Sequence, residues 1–331
     1  MRDPVITSIV VIDKLTYAGS KANLPDGVSG KSVEFQHVGI ESPDVHACLR
    51  EFQPQRIVNL AAETHVDRSI DGPGAFLRAN VDATFAFLET VREYWGGLAD
   101  PERESFRFLQ VSTDEVYGSV GAEEYSTECS PLKPSSPYSA SKASADHFVQ
   151  AFGRTYGLPV LVARCSNCFG PRQLPEKFIP LVTLNALEQR ELPVYGDGSN
   201  IREWLFVDDA AKGLASVLKK GVPGEIYNLG SGNQLTNLEV VKAICALVDS
   251  LSASSRTGGG STTTELIRFV PDRPGHDQRY ALDSTKARTR LGWAASCSFL
   301  SSLRNTVEWY QGNKQWLAAV GEHRKRKGML P

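Results

Sequence analysis

Short apolar runs alternate with amphipathic stretches through the first half of the chain. SIVVID (8–13), RIVNLAA (56–62), RFLQVST (107–113) and LPVLVARC (158–165) have the length and the β-branched content of buried strands. Between them, PDVHACLREF (43–52), ANVDATFAFLETVREYW (79–95) and SASKASADHFVQAFGRTYG (139–157) carry apolar residues at helical spacing. Strands alternating with helices predict an α/β fold, a doubly wound parallel sheet of Rossmann-like type with crossover helices. Such a sheet presents ligands to the carboxyl ends of its strands, so polar residues just after the predicted strands draw attention first.

Beyond about residue 170 the pattern loosens. FGPRQLPEKFIP is Pro-rich and polar, LVTLNALEQR is helical, and GEIYNLG (224–230) predicts a return to the sheet. The expected organisation is a dinucleotide-binding domain over 1–170 and a smaller mixed α/β substrate lobe over 171–331, with return segments to the sheet. SLSASSRTGGGSTTT (250–264) predicts a mobile surface loop, and the basic HRKRKGMLP (323–331) a solvated tail.

Three strand ends carry candidate chemistry. VSTDEVYG (111–118) sets Asp114 and Glu115 side by side where a buried strand stops, either as a polar cap or as a pair of proton-transfer groups. PYSASK (137–142) places Tyr138 four residues before Lys142, on one helix face. A tyrosine acts as a base near neutrality only if a cation stabilises its phenolate, and Lys142 is such a cation; a chance YxxxK in a helix is the alternative. Asp13, at the end of the first apolar run, can hydrogen-bond a ribose 2′-hydroxyl and so favour an unphosphorylated dinucleotide; the alternative is a turn cap.

Composition narrows the classes. The 331 residues are 41% hydrophobic and 22% charged with a net charge of −2, so no basic excess points to nucleic acid. No apolar run reaches the roughly 18 residues of a membrane span, and the N-terminus lacks the order of a signal peptide, so a cytoplasmic protein is expected. The six cysteines are scattered. CSNC (165–168) has CxxC spacing without a second ligand pair, so no metal site is expected.

Taken in order, IDKLTYAG, NLAAETHVDRSI, VSTDEVYG, PYSASKASADH, CSNCFGPRQLPEKFIP, REWLFVDD and DRPGHDQRY resemble the extended short-chain dehydrogenase/reductases, and among them the dTDP-glucose 4,6-dehydratases. The likeness runs from about residue 8 to 310, and the Thr-Asp-Glu triplet separates dehydratases from nucleotide-sugar epimerases. The resemblance implies an NAD-dependent lyase that converts dTDP-glucose to dTDP-4-keto-6-deoxyglucose. Tyr138, with Lys142, would take the proton of the sugar 4-hydroxyl and Thr113 would hydrogen-bond that oxygen. Glu115 would remove the C5 proton and Asp114 would protonate the departing 6-hydroxyl. NAD contacts would come from Asp13, Lys14, Leu15, Thr16, Ala61, Ala62, Thr64, Asn80, Ser112, Tyr138, Lys142 and Cys168. The nucleotide sugar would meet Thr64, His65, Arg68, Asn167, Lys177, Tyr195, Arg202, Asn237, Arg273 and His276, where arginine suits phosphate through its planar fork. The family also implies a homodimer. UDP-glucose as substrate, another nucleotide-sugar epimerase or decarboxylase, and a non-catalytic nucleotide-sugar-binding protein are the alternatives.

The chain departs from that pattern in two places. The strand, glycine-rich turn and helix that receive the cofactor pyrophosphate in the family are not found ahead of Asp13, and GGG (258–260) follows no buried strand. The flanking strands are therefore expected to be sheet edges, and this chain alone to bind NAD weakly. In FQHVGIES (35–42), Gly39 meets Ile40 where the family usually has an acid between them.

Overall fold

The computed structural model describes residues 6–25, 27–28, 31–253 and 262–326. In chain order the elements begin with β1 (Ile9–Ile12), β2 (Gly27–Val28), β3 (Lys31–Gln36), α1 (Asp44–Phe52), β4 (Arg56–Asn59), α2 (Val66–Asp71), α3 (Pro73–Phe76), α4 (Ala83–Gly96) and α5 (Asp100–Ser105). Next come β5 (Arg107–Thr113), α6 (Pro137–Tyr156), β6 (Val160–Cys165), β7 (Asn167–Phe169), α7 (Phe178–Leu187), β8 (Leu192–Tyr195), β9 (Ile201–Phe206) and α8 (Val207–Lys220). The last are β10 (Ile226–Leu229), β11 (Gln234–Thr236), α9 (Asn237–Ala253), β12 (Ile267–Val270), α10 (Phe299–Gly312) and α11 (Lys314–Arg326).

Two compact units result, one from the described parts of Met1–Gln55, Asp82–Phe106 and Asn313–Pro331, the other from Arg56–Val81 and Arg107–Gly312. In the first, β1 lies parallel to β3 in the register Ile9↔Val33 to Ile12↔Gln36, and β2 pairs antiparallel with β3. Helix α1 buries Val45, Cys48 and Leu49, α4 buries Phe87, Leu88 and Val91, and the two helices pack on one another. The Trp316 indole on α11 donates to Asn23 Oδ1 at 2.7 Å.

The second unit is built on an all-parallel sheet in the order β10-β6-β5-β4. Every residue of β6 is buried, as a strand covered on both faces requires, and its register with β5 runs from Phe108↔Val160 to Thr113↔Cys165. A second core joins α7, α9 and α10 to the sheet β11-β9-β7 through Phe169, Ile179, Trp204, Val240, Ile244 and Leu303. Full burial of each such side chain contributes roughly 1.5–3 kcal/mol before entropy is counted. Across β6 and α6 runs a buried polar chain. Arg164 donates to Asp146 Oδ2 at 2.8 Å and to the Tyr117 hydroxyl at 2.9 Å, and that hydroxyl donates to Asn228 Oδ1 at 2.8 Å.

The α/β class and four predicted strands stand, with RFLQVST coinciding with β5 and GEIYNLG enclosing β10. The edge expectation also stands: among the described strands β1 pairs only with β3 and β4 only with β5, and Val58 and Leu60 beside that edge are 37% and 64% exposed. Two expectations need correction. Residues 250–253, assigned to a loop, form the last turn of α9, and Thr263–Leu266 form a 3-10 turn; Thr263 is held there by its bonds to Asp249. Residues 254–261 lie outside the described residues. Residues 323–326, assigned to a solvated tail, continue α11, whose Trp316 and Val320 are buried; 327–331 lie outside the described residues.

Candidate active site

The site begins where β5 ends. Thr113 leaves the strand with extended backbone and caps the 3-10 turn Asp114–Tyr117, its hydroxyl accepting from the Glu115 amide at 3.3 Å. The same hydroxyl donates to Asp114 Oδ1 at 3.2 Å. Gly118 closes the turn at φ 75°, where a Cβ would lie 2.2 Å from the Lys133 carbonyl, so no other residue fits this exit.

Helix α6 delivers the second group. Ser136 and Ser139 form a reciprocal capping box, Pro137 occupies the first turn, and Gly157 ends the helix in a left-handed conformation. A cap of this kind stabilises by about 1 kcal/mol. It fixes Tyr138 in the first turn, where the Tyr138 amide donates to Ser69 Oγ at 3.2 Å and the ring meets Phe76 edge-on at 6.3 Å between centroids. Thr113 hydrogen-bonds the Tyr138 side chain, which joins the strand end to the helix. One turn further, Lys142 Nζ donates to the Val111 carbonyl at 2.7 Å.

Electrostatics separate these groups. Asp114 is 2% exposed and its Oδ2 has no partner, so burial first, and then the Glu115 and Glu203 charges, push its carboxyl well above the usual range. An ionised carboxylate there would forfeit its hydration with only the Thr113 hydroxyl in return, so the surroundings favour the neutral acid. Burial also raises Glu115, but Arg273, Arg202 and Lys177 oppose the shift. Burial and the charges of Glu115 and Asp114 raise the Tyr138 phenol, while its Thr113 hydrogen bond works the other way. Burial lowers the Lys142 ammonium against the pull of Asp146.

The residues expected to meet the sugar and its phosphates gather in the same unit. Lys177 donates to the Thr64 carbonyl at 2.7 Å and to its hydroxyl at 2.9 Å. His65 caps α2, accepting from the Arg68 amide at 3.5 Å, and burial lowers its imidazole. Tyr195 donates to Asp67 at 3.2 Å and Arg273 to the other oxygen of that carboxylate at 3.3 Å. Arg202 lies over the Tyr280 ring at 4.3 Å and donates to the Asp277 carbonyl at 2.8 Å. His276 pairs with Asp272 at 2.6 Å and meets Tyr195 edge-on. Asn237 starts α9 with its amide on the Asn200 carbonyl at 3.0 Å.

The dinucleotide set divides. Ala61 and Ala62 follow β4, with the Ala61 amide on Asn59 Oδ1 at 3.2 Å. Asn80 is fully used, its side chain tying the Glu63 backbone to Ser141 at 2.8–2.9 Å. In the other unit Asp13, Lys14, Leu15 and Thr16 form the turn after β1. Asp13 accepts from the Leu15 amide at 2.6 Å, Leu15 adopts φ 49°, and Lys14 pairs with Glu41 at 2.8 Å. The buried polar atoms of the second unit that have no partner include Ser112 Oγ, Ser166 Oγ and Asn167 Oδ1, so the chain around Tyr138 and Cys168 offers hydrogen bonds to a polar ligand and fits the amide and ribose end of a dinucleotide.

Asp67, Asp277 and Tyr280 were missed from sequence, although they lie inside the quoted ETHVDRS and GHDQRY stretches. An acid between cations in such a motif is the signal that could have found Asp67 and Asp277. The thiols of Cys165 and Cys168 form no disulfide, and no group of three or more metal-binding side chains occurs among the described residues.

A parallel α/β sheet whose strand end meets a Tyr/Lys helix, with arginines and a lysine drawn around the acids, defines a short-chain dehydrogenase/reductase acting on nucleotide sugars. The sequence model of the GDP-mannose 4,6 dehydratase family matches residues 3–306, and the chain belongs to that family. It is 51% identical over 309 residues to a dTDP-glucose 4,6-dehydratase of Neisseria gonorrhoeae, covering 93% of this chain and 89% of that one. A crystal structure of dTDP-glucose 4,6-dehydratase from Bacillus anthracis in complex with NAD superimposes with a TM-score of 0.81 at 40% identity, over 95% of this chain and 91% of the other. The UDP-glucose 4-epimerase of Thermus thermophilus in complex with NAD is more distant, with a TM-score of 0.78 and 28% identity over 92% and 91% of the chains.

Proposed function

We propose that the protein is an NAD-dependent lyase that dehydrates dTDP-glucose to dTDP-4-keto-6-deoxyglucose. One observation carries the reading: two adjacent carboxyls at the end of β5 stand in unlike surroundings, Asp114 sealed without a partner for Oδ2 and Glu115 opposed by three cations. Elimination of water needs one acid and one base on the same substrate, and this pair supplies them.

Bound NAD+ would accept a hydride from C4 and return it to C6, and its positive ring would lower the Tyr138 phenol. Tyr138 then takes the proton of the 4-hydroxyl while Thr113 holds that oxygen, and Lys142 supports the phenolate. With C4 oxidised, the C5 proton is acidified; Glu115 removes it and Asp114 gives its proton to the departing 6-hydroxyl, which leaves as water. Asp13, Lys14, Leu15 and Thr16 would hold the adenosine end of NAD, and Ala61, Ala62, Thr64, Asn80, Ser112 and Cys168 the remainder. His65, Arg68, Asn167, Lys177, Tyr195, Arg202, Asn237, Arg273 and His276 would bind the nucleotide sugar, with the arginines on its diphosphate. Functionally, residues 1–170 serve the cofactor and 171–331 mainly the nucleotide sugar.

No described helix is long and apolar enough to cross a membrane. We propose a cytoplasmic homodimer, supported by the exposed apolar Leu77 and Phe148, 54% and 38% accessible. The test is incubation with dTDP-glucose or UDP-glucose, with and without added NAD+, and product mass. Loss of water from dTDP-glucose supports the reading; a product mass unchanged from the substrate with NAD+ bound overturns it.

A further inference from the structure

Asp67 lies in the first turn of α2, and its carboxylate is held from two directions by residues distant in the chain. Tyr195, the last residue of β8, donates its hydroxyl to Asp67 Oδ2 at 3.2 Å, and Arg273, just past β12, reaches Oδ1 through Nη1 at 3.3 Å. These partners come from neighbouring strand ends, because β8 and β12 pair in parallel with Val270 beside Tyr195. The turn that carries Arg273 is itself tied: Asp272 Oδ1 accepts from the Arg273 amide at 2.9 Å and pairs with His276 Nδ1 at 2.6 Å. Asp272 thus fixes the backbone of the turn, and Asp67 fixes the far end of the arginine side chain.

The Arg273 side chain is 20% exposed, and its Nε is buried with no hydrogen-bond partner among the described residues. Asp67 offers Nη1 a single oxygen, since its other oxygen receives the Tyr195 hydroxyl. The guanidinium edge formed by Nε and Nη2, which can grip an oxyanion with two parallel bonds, is therefore not the position that Asp67 takes. A carboxylate competing with an anionic ligand for the fork would place both oxygens on that edge. We infer that Asp67 is a positioning residue for the nucleotide sugar: it holds Arg273 by Nη1 and so presents the Nε edge to the substrate diphosphate. The inference rests on the reading that Arg273 meets that diphosphate, and it adds the group that orients the guanidinium. A loose arginine side chain loses rotamer freedom when a ligand binds, whereas one already held does not, so the benefit falls on affinity rather than on the chemical step. Loss of Asp67 should accordingly raise KM and leave kcat nearly alone.

The test compares the full chain with Asp67→Ala, Arg273→Ala and the double variant, reading dTDP affinity by calorimetry, KM and kcat for dTDP-glucose, and the melting temperature. Asp67→Ala should weaken dTDP about tenfold and raise KM by the same factor, with kcat changed less than about threefold. Its melting temperature should stay within about 2 °C of the parent, because a partly exposed ion pair contributes little to stability. Arg273→Ala should weaken dTDP further, and adding Asp67→Ala to it should cost nothing more, since Asp67 acts through Arg273. Unchanged or tighter dTDP binding in Asp67→Ala, or losses that simply add in the double variant, would overturn the inference. If Asp67→Ala melts early, Asp67→Asn decides with the same readouts: it keeps the shape and an acceptor for Tyr195 while removing the charge that holds Arg273. A parent chain that binds dTDP but dehydrates nothing refutes the catalytic reading alone, because the affinity comparison needs no turnover. A parent chain that binds no dTDP overturns both.

Discussion

Strands β5 and β1 each end on a carboxylate, and the two ends are built in opposite ways. After β5, Asp114 is sealed, its Oδ2 without a partner, and the adjoining charges drive its carboxyl toward the neutral acid. After β1, Asp13 is exposed and already donated to by the Leu15 amide, with Lys14 and Glu41 paired in solvent beside it. Moving a proton calls for desolvation, because only a dry carboxyl keeps a proton at neutral pH. Recognising a hydroxyl calls for a carboxylate that is anchored but wet, so that a sugar replaces water at little cost. Under the proposed function, the same motif, an acid just past a strand, would serve two purposes according to what covers it.

The contrast can be tested from its strongest consequence downward. Tyr138→Phe should lower turnover about a thousandfold, within the range expected for a lost general base, while calorimetry finds dTDP-glucose binding nearly unchanged; near-normal turnover would remove the β5 end from the chemistry. Glu115→Gln should cost about a hundredfold and stop solvent deuterium from entering C5, with reduced-cofactor absorbance building up. In the unaltered protein the rate should fall on the acid side as Glu115 protonates, at a pH above its ordinary 4.5 because burial raises it. At the wet end, Asp13→Ala should weaken NAD binding about tenfold, the size of one charged hydrogen bond of roughly 1.4 kcal/mol, without touching deuterium exchange. The smallest effect is on stability. A raised folded pKa means that Asp114 favours the fold below 3.8 and progressively less as pH climbs toward its folded value. Asp114→Asn should therefore melt a few degrees higher than the parent at pH 7 and at nearly the same temperature near pH 3; the reverse ordering would mean that Asp114 is ionised in the fold.

Much of this was legible beforehand because it is local. RFLQVST could be read as β5 from β-branched and apolar content alone, and the Tyr138/Lys142 spacing fixes a shared face once Ser136 and Pro137 start the helix. The 250–264 stretch misled because small polar residues read as a loop, while α9 is held through Ala253 by the burial of Val240, Val241, Ile244 and Val248 further back. Asp67 escaped notice because its importance is not local: it joins Arg273 from 206 positions away and Tyr195 from 128. Likewise no pattern in the sequence announces that Lys142 spends its ammonium on the Val111 carbonyl, a contact fixed only when helix and strand dock.

The buried chain from Asp146 through Arg164 and Tyr117 to Asn228 bears on how slowly this unit comes apart. It stitches α6, β6, the turn after β5 and β10 with hydrogen bonds that water cannot reach, since Arg164 is 1% and Asp146 0% exposed. Breaking the Arg164–Asp146 link strands a charge in the interior, at a cost of about 3–5 kcal/mol. The four segments therefore have no inexpensive way to fray one at a time, and their amides exchange with solvent only in the rare molecules that open the whole sheet. A reaction centre mounted on those segments should inherit that slow clock, and the elements that hold tyrosine and acids in line should be among the last to be lost when the protein is heated.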